Sequence, residues 1–500
     1  MARSEGASRH LEVERKFDVV DSTVSPSFDG LAAVAHVEKG PSQELDAVYF
    51  DTPGHDLAAH RITLRRRTGG SDSGWHLKLP VGPQSRTEIR TPLGDDDAEV
   101  PGELRDVVLA IVRDRPLEPV ARITTSRTVH QLYSDDGRVL SEFADDRVTA
   151  WAEGDEAGQH WREWELELSE DAVGDGIADA QLLDRLTNRL LDAGAQPAGH
   201  ASKLARVLDT SAPESDSSLA IDGPVHRAVA EEADNLLAWD RAVRADVDDS
   251  VHQMRVTTRK IRSLLQASES AFGLADDAWI LDELRQLATV LGIARDAEVL
   301  AQRYENALDE LPTELVRGPV RERLVGGARR RYRSGWRKSL AAMRSQRYFR
   351  LLDALEGLVA AEPPTPEEGK KQTTDATIAS AYNRVRKRAK ATKNAEAENR
   401  DEALHRIRKA AKKLRYTAAA TGDNKISSAA KDIQSLLGDH QDSVVSRMHL
   451  SRQAEAAQAA GEDTFTYGLL YAREAELARC CREQLKPALK ALRTAVRKEL

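Results

Sequence analysis

"LEVERKF", residues 11–17, alternates Leu11, Val13 and Phe17 with Glu12, Glu14 and Lys16. In a strand, residues two apart share a face, so two carboxylates and an ammonium point one way and apolar groups the other. The design recurs along residues 1–210. Arg65 and Arg67 lie opposite Ile62 and Leu64, Glu163, Glu165 and Glu167 alternate with Trp164, Leu166 and Leu168, and further strands carry Lys78 and an Arg86–Glu88 pair. An ordinary wet sheet face mixes Lys, Thr, Ser and Gln. Here charge is sorted by strand, which suits phosphate and metal together. Arg and Lys hold phosphate oxygens, and Asp and Glu hold Mg²⁺ or Mn²⁺. A barrel of about eight strands leaves room for one small ligand, provided helices cover its apolar outside. Helical patterns near 103–113 and 178–194 interrupt the strands.

The 500 residues exceed one core, and the net charge of −9 divides unevenly: residues 1–210 carry −15, the remainder +6. The only cysteines, Cys480 and Cys481, are adjacent, which predicts a reducing compartment without structural disulfides. With no apolar leader and no long apolar run, the expectation is a cytoplasmic protein without membrane partners. The small, polar "SAPESDSSLAIDG" (211–223) reads as a linker between an antiparallel β domain, 1–210, and a helical domain, 224–500. A second linker, 362–374, divides the latter into 224–361 and 375–500.

Those helical halves resemble each other. "VHQMRVTTRKIRSLL" (251–265) matches "LHRIRKAAKKLRYTA" (404–418), and "VLGIARDAEVL" (290–300) matches "LLGDHQDSVVS" (436–446), in the same order. Paired matches in order indicate duplication and predict two helical bundles related by an approximate two-fold. At about 100° per residue, His252, Arg255, Arg259 and Arg262 fall within about 80° of arc. His405, Arg408, Lys412 and Arg415 repeat them, with Lys260 and Lys413 alongside. Like charges four residues apart repel on a helix, so an anion is the expected partner.

"LEVERKF" resembles the ExExK signature of the CYTH family, the triphosphate tunnel enzymes. "YFDTP", "LRRR", "LKLP", "RTE", "EWELE" and "ASKLARVL" follow in that family's order across residues 8–208. The resemblance implies an eight-stranded antiparallel tunnel hydrolysing triphosphates with Mg²⁺ or Mn²⁺. It implies Glu12, Glu14 and Lys16 as catalytic residues. The implied phosphate ligands are Lys16, Arg65, Arg67, Lys78, Arg86, Arg127, Lys203 and Arg206. The implied metal ligands are Glu12, Glu14, Glu163, Glu165 and an acid that "FADDRV" offers as Asp145 or Asp146, of which we take Asp145. The helical stripes resemble the CHAD family over about 222–500, which implies paired four-helix bundles. Polyphosphate would then bind His252, Arg255, Arg259, Lys260, Arg262, His405, Arg408, Lys412, Lys413 and Arg415. The expected fold is multidomain α+β. The expected activity is hydrolysis of a triphosphate, foremost inorganic tripolyphosphate, beside binding of long-chain polyphosphate, on granules if these are present. The alternatives are a non-catalytic polyphosphate protein and cyclase chemistry on ATP. Nucleic acid is disfavoured, because neither stripe is interleaved with stacking aromatics.

Overall fold

The computed structural model describes residues 8–82, 85–94, 99–174, 176, 180–209, 224–267, 272, 279–361, 378–392, 396, 399–420 and 422–499. Both linkers expected from composition, 211–223 and 362–374, lie outside them.

The N-terminal region comprises β1 (Ser8–Val19), β2 (His36–Lys39), β3 (Gln43–Asp51), α1 (Asp56–Ala59), β4 (Thr63–Thr68), β5 (Gly74–Pro80), β6 (Ser85–Thr91), α2 (Gly102–Val107), α3 (Leu109–Val112), β7 (Glu118–Tyr133), β8 (Val139–Ala152), β9 (Gln159–Leu168), α4 (Glu170–Gly174), α5 (Ala180–Asp192), β10 (Gln196–Pro197) and α6 (Lys203–Val207). The strands run in the order β1-β6-β5-β4-β3-β7-β8-β9, and β9 pairs back onto β1, closing an eight-stranded antiparallel barrel. β2 and β10 are additions to β7 and β1.

The alternation read from "LEVERKF" sets which way each strand faces. Phe17, Phe143, Trp164, Leu166 and Leu168 point out and bury themselves under Leu182, Leu183, Leu186 and Leu190 of α5. Those leucines recur at helical spacing, so one stripe of α5 covers the sheet. Inside, Leu204 and Val207 of α6 pack with Ala121, Ile123, Val148 and Ala150, filling one end of the barrel with apolar side chains.

From residue 224 the chain is helical: α7 (Pro224–Arg244), α8 (Ser250–Ala267), α9 (Trp279–Asp309), α10 (Gly327–Met343, led by a π-helical turn at Glu322–Gly326), α11 (Gln346–Ala360), α12 (Ile378–Thr392), α13 (Arg400–Ala420), α14 (Asn424–Ala459) and α15 (Phe465–Glu499). α8 and α13 carry the two basic stripes, each followed by a longer helix bearing the Leu-Gly element. α12–α15 form a four-helix bundle around Val385, Ile407, Leu414, Ile433, Leu437 and Leu492.

Packing divides the chain into two compact units, residues 1–288 with 340–363, and 289–339 with 364–500. In the first, α7 and α11 pack with the α2–α3 segment of the barrel through ion pairs. Arg113, 3% exposed at φ 57°, meets Asp353 at 2.6 Å and also Glu356. Arg244 joins Asp240 at 2.6 Å and Asp106 at 3.2 Å, and Tyr348 donates to Asp240 at 2.9 Å. No described helix is long and apolar enough to cross a membrane.

Candidate functional site

The barrel encloses a cavity of about 570 Å³. Glu12, Glu14 and Lys16 of β1, Arg65 and Arg67 of β4, Lys78 of β5, Arg86 of β6, Arg127 of β7, Glu165 of β9 and Lys203 of α6 all line it. Nine cationic and nine acidic side chains line the cavity in all, so its formal charge is zero.

Oppositely charged strands meet across the space. The Lys16 ammonium lies 2.9 Å from Glu14 and 2.5 Å from Glu165. Lys203 reaches Asp146 at 2.8 Å and Glu163 and Glu165 at 2.7 Å each. Arg127 grips Asp146 with two nitrogens, at 2.8 and 2.6 Å, and Glu165 at 2.5 Å. Lys78 lies 2.8 Å from Glu12 and 3.8 Å from Glu88. Arg65 takes the Tyr49 hydroxyl at 3.3 Å, and Arg67 is paired with Asp72. The Nε–H groups of Arg65 and Arg67 are buried without a hydrogen-bond partner. Orphaned buried donors are costly, and phosphate oxygens would satisfy them.

Burial and crowding shift the acids apart. Burial works to raise Glu14, but Lys16, Lys78 and Arg86 outweigh it and hold the carboxyl at about 2. Burial raises Glu12, aided by Glu88 and Glu14 against Lys78. Glu167 is pushed up to about 7, by burial first and then by Glu12, Glu14 and Glu165 against Lys78. Glu14 and Glu167 sit directly opposite in the β1–β9 register. Like charges so placed repel unless a cation lies between them, and carboxylate oxygens are the donors Mg²⁺ and Mn²⁺ take. The residues present therefore fit a divalent ion. Asp146, Glu163 and Glu165 also group within 4.8 Å of one another. Of these only Glu165 faces the cavity, and the Lys203 ammonium already touches all three.

Two sequence assignments need correcting. Asp145 faces away from the tunnel, held by Arg162 at 2.8 and 2.6 Å and by the Ser25 hydroxyl at 2.8 Å. Strand alternation turns its neighbour Asp146 inward instead. Arg206 also leaves the cavity; one turn of α6 directs it to Asp18 at 2.6 Å and over the Trp161 ring at 4.7 Å. Glu163 points inward but does not line the cavity; it is buried against Lys203, with the Trp161 indole donating to it at 2.5 Å. Arg90 and Tyr49 line the cavity without having been singled out. Continuing the alternation from Arg86 and Glu88 would have reached Arg90. His76 is a structural member: it contacts Glu88 through Nδ1 and the Asp72 carbonyl through Nε2, each at 2.9 Å.

In the helices the stripe residues are half-buried or exposed. On α8, Arg255 and Arg262 donate to the Ala288 and Leu281 carbonyls of α9, both at 3.2 Å. Lys260 turns to Glu232 at 3.0 Å, His252 is half-buried and Arg259 exposed. On α13, Arg415 donates to Gln434 at 3.2 Å, and Lys412 and Arg415 lie over the Tyr416 ring. Lys413 is exposed and Arg408 half-buried. His405 is half-buried, its Nδ1 unpartnered. Its pKa is lowered, first by burial and then by Lys409 and Arg408 against Glu402.

Family models match this chain twice, as a CYTH domain over residues 10–191 and as a CHAD domain over 227–451. The chain is a CYTH–CHAD fusion protein. Uncharacterized proteins from two strains of Mycobacterium tuberculosis are 63% identical over 98% of both chains, so this arrangement extends over their whole length. Among solved structures, PptA from Streptomyces chartreusis is 18% identical, with 53% of this chain and 98% of that chain covered at a TM-score of 0.43. The CHAD domain from the plant Ricinus communis is 21% identical, covering 54% and 93% at a TM-score of 0.40. The CYTH barrel places this CYTH–CHAD protein in the triphosphate tunnel family.

Proposed function

We propose that the CYTH barrel hydrolyses a triphosphate, foremost inorganic tripolyphosphate, with Mg²⁺ or Mn²⁺, and that the CHAD helices bind long-chain polyphosphate. The observation that carries the first half is the convergence of sorted cations and carboxylates on one formally neutral cavity inside the barrel. A polyanion entering alone would leave its charge uncompensated there, whereas a metal-complexed triphosphate would not.

In this reading Lys16, Arg65, Arg67, Lys78, Arg86, Arg127 and Lys203 hold phosphate oxygens, Arg65 and Arg67 through donors that otherwise lack partners. Glu12, Glu14, Glu165 and Glu167 would hold the divalent ion; Asp146 and Glu163 position Lys203. A bound divalent cation supplies charge neutralisation on the phosphoryl oxygens and a Lewis acid. The fixed ammonium and guanidinium groups stabilise charge that shifts to the leaving oxygen.

In the helices, the stripes on α8 and α13 offer evenly spaced cations, suited to a flexible chain with a charge on each phosphate. The proposed location is the cytoplasm, with polyphosphate granules as docking sites; the free thiols of Cys480 and Cys481 agree with a reducing compartment. The deciding assay measures phosphate release by the full-length protein from tripolyphosphate, long polyphosphate, ATP and thiamine triphosphate with each metal. We expect release from tripolyphosphate, abolished by Glu14→Ala; release that survives this substitution sinks the reading.

A further inference from the structure

The barrel wall has a notch. On one edge of β1, residues Ser8–Val13 pair with β6 and residues Phe17–Asp18 pair with β10, while the other edge of Glu14–Val19 is taken by β9. The Lys16 carbonyl accepts from Ala198 N–H at 3.0 Å. Glu14 and Arg15 thus border a gap between the start of β6 and the segment leading to α6. A second cavity of about 380 Å³ opens at this gap. It shares Glu14, Lys16 and Arg86 with the tunnel, so these side chains border both spaces.

Its remaining polar lining is Arg15, Thr187 and His200. Arg15 donates to the Thr187 hydroxyl and to Asp184, both at 2.8 Å, which fixes its guanidinium at the opening. The His200 Nδ1 is buried with no hydrogen-bond partner. Arg86 closes the gap by donating to the Ala201 carbonyl at 2.6 Å, with Glu14 3.8 Å away. The lining thus holds three permanent cations, an unsatisfied imidazole and one carboxylate, Glu14, while Asp184 and Glu165 pair with Arg15 and Lys16 from outside it. That set suits a small, compact oxyanion.

We propose that this notch is a side port that binds inorganic orthophosphate, the smaller product of the barrel's reaction. The proposal rests on the triphosphatase reading. In that reaction the water oxygen bonds to the terminal phosphorus and the bridging P–O bond breaks. Orthophosphate and pyrophosphate form, and the water's proton passes to the products or solvent. Because α6 fills one end of the barrel, orthophosphate released behind bound pyrophosphate needs another way out. Arg86 is placed to exchange the Ala201 carbonyl for a phosphate oxygen as it leaves.

The test uses the full-length protein and its Thr187→Val/His200→Ala variant, neither residue belonging to the proposed tunnel machinery. Orthophosphate binding is measured by calorimetry, and inhibition by orthophosphate is measured in the tripolyphosphate assay. We expect the variant to bind orthophosphate about tenfold more weakly and to show a matching rise in its inhibition constant. The KM for tripolyphosphate should stay within about twofold. Unchanged orthophosphate binding in the folded variant overturns the port. So does a loss matched by an equal rise in KM, which would place the phosphate in the tunnel itself. If tripolyphosphate is never hydrolysed but orthophosphate binding still depends on Thr187 and His200, the port stands as an anion site and the triphosphatase reading falls.

Discussion

The barrel interior and the helical stripes use the same cations in different surroundings. In the barrel, Lys203 is buried and Lys16 and Arg127 are largely covered, at 15% and 18% exposure, each held against carboxylates by two or three short contacts. On α8 and α13 the stripe cations are half-exposed, and several lean on neutral carbonyl, amide or aromatic partners. The first arrangement fixes charge before a ligand arrives; the second keeps charge mobile and screened. Preorganised buried charge can stabilise a transition state. Exposed, spaced charge can only gather a polyanion, with an affinity that falls as salt rises. The contrast is the physical ground for proposing chemistry in one region and docking in the other.

The largest effect expected is on chemistry. Glu14→Ala removes a cavity carboxylate held ionised at about 2, and phosphate release from tripolyphosphate should fall by about a thousandfold or more. Polyphosphate binding by the full chain should be unchanged in a filter-retention assay. If both drop together, the two regions are not separable and the contrast fails.

Stability gives the next effect. Lys203→Met strips the ammonium from Asp146, Glu163 and Glu165, leaving Glu163 buried without a cation. Breaking a buried pair from one side costs about 3–5 kcal/mol, measured as a shift in denaturant midpoint. The same change at exposed Lys260, paired with Glu232, should cost about 0–1 kcal/mol. Similar costs at both would mean that burial does not distinguish the regions.

A pH experiment sharpens the same point. His76 is held at about 4, by burial first and then by Arg65 and Arg67 against Glu88, below about 6.5 for an unfolded chain. As pH falls below 6.5, the unfolded chain takes up this proton before the native one does. Native stability is therefore lost progressively between about 6.5 and about 4, by about 3 kcal/mol in all, with no contribution above. His76→Gln should flatten that part of the stability–pH curve; an equally steep curve would show that the imidazole is not the group responsible.

How far the sequence led depends on whether a strand's two faces differ. In β1, β4 and β9 most of the charge falls on alternate residues, with Arg15, Arg66 and Arg162 breaking the pattern, and the barrel's inner face could be read from them. β7 could not be read that way. Its inward residues run Ala121, Ile123, Thr125, Arg127, Val129 and Gln131, because it passes from the apolar end plugged by α6 to the polar end. Asp145 and Asp146 were indistinguishable for a related reason: either parity gives one acid in and one out, and the register Arg127↔Asp146 decides it. The family resemblance implied Arg206 as a tunnel cation beside Lys203, but its guanidinium is taken by Asp18 and the Trp161 ring instead. The paired basic helices, each followed by a longer helix with a Leu-Gly element, could be expected from spacing. The association of α7 and α11 with α2–α3 could not, since it depends on ion pairs between residues more than a hundred positions apart.

The smallest effects lie on the stripes. Lys412→Gln with Lys413→Gln should weaken polyphosphate binding about five- to tenfold at low salt, a difference that shrinks as screening grows. A subtler change separates geometry from charge. Gly438 of α14 lies under the Arg408 guanidinium, and an added Cβ would come 3.2 Å from its Nη2. Gly438→Ala keeps every charge and favours the helix by about 0.5–1 kcal/mol, but makes Arg408 shift by a few tenths of an ångström. If the stripe is a loose field of charge, as its exposure implies, polyphosphate affinity should change by less than about twofold while the unfolding midpoint rises or holds. A tenfold loss would mean that Arg408 grips a phosphate in a fixed geometry, and the helical region would then resemble the barrel more than the comparison allows.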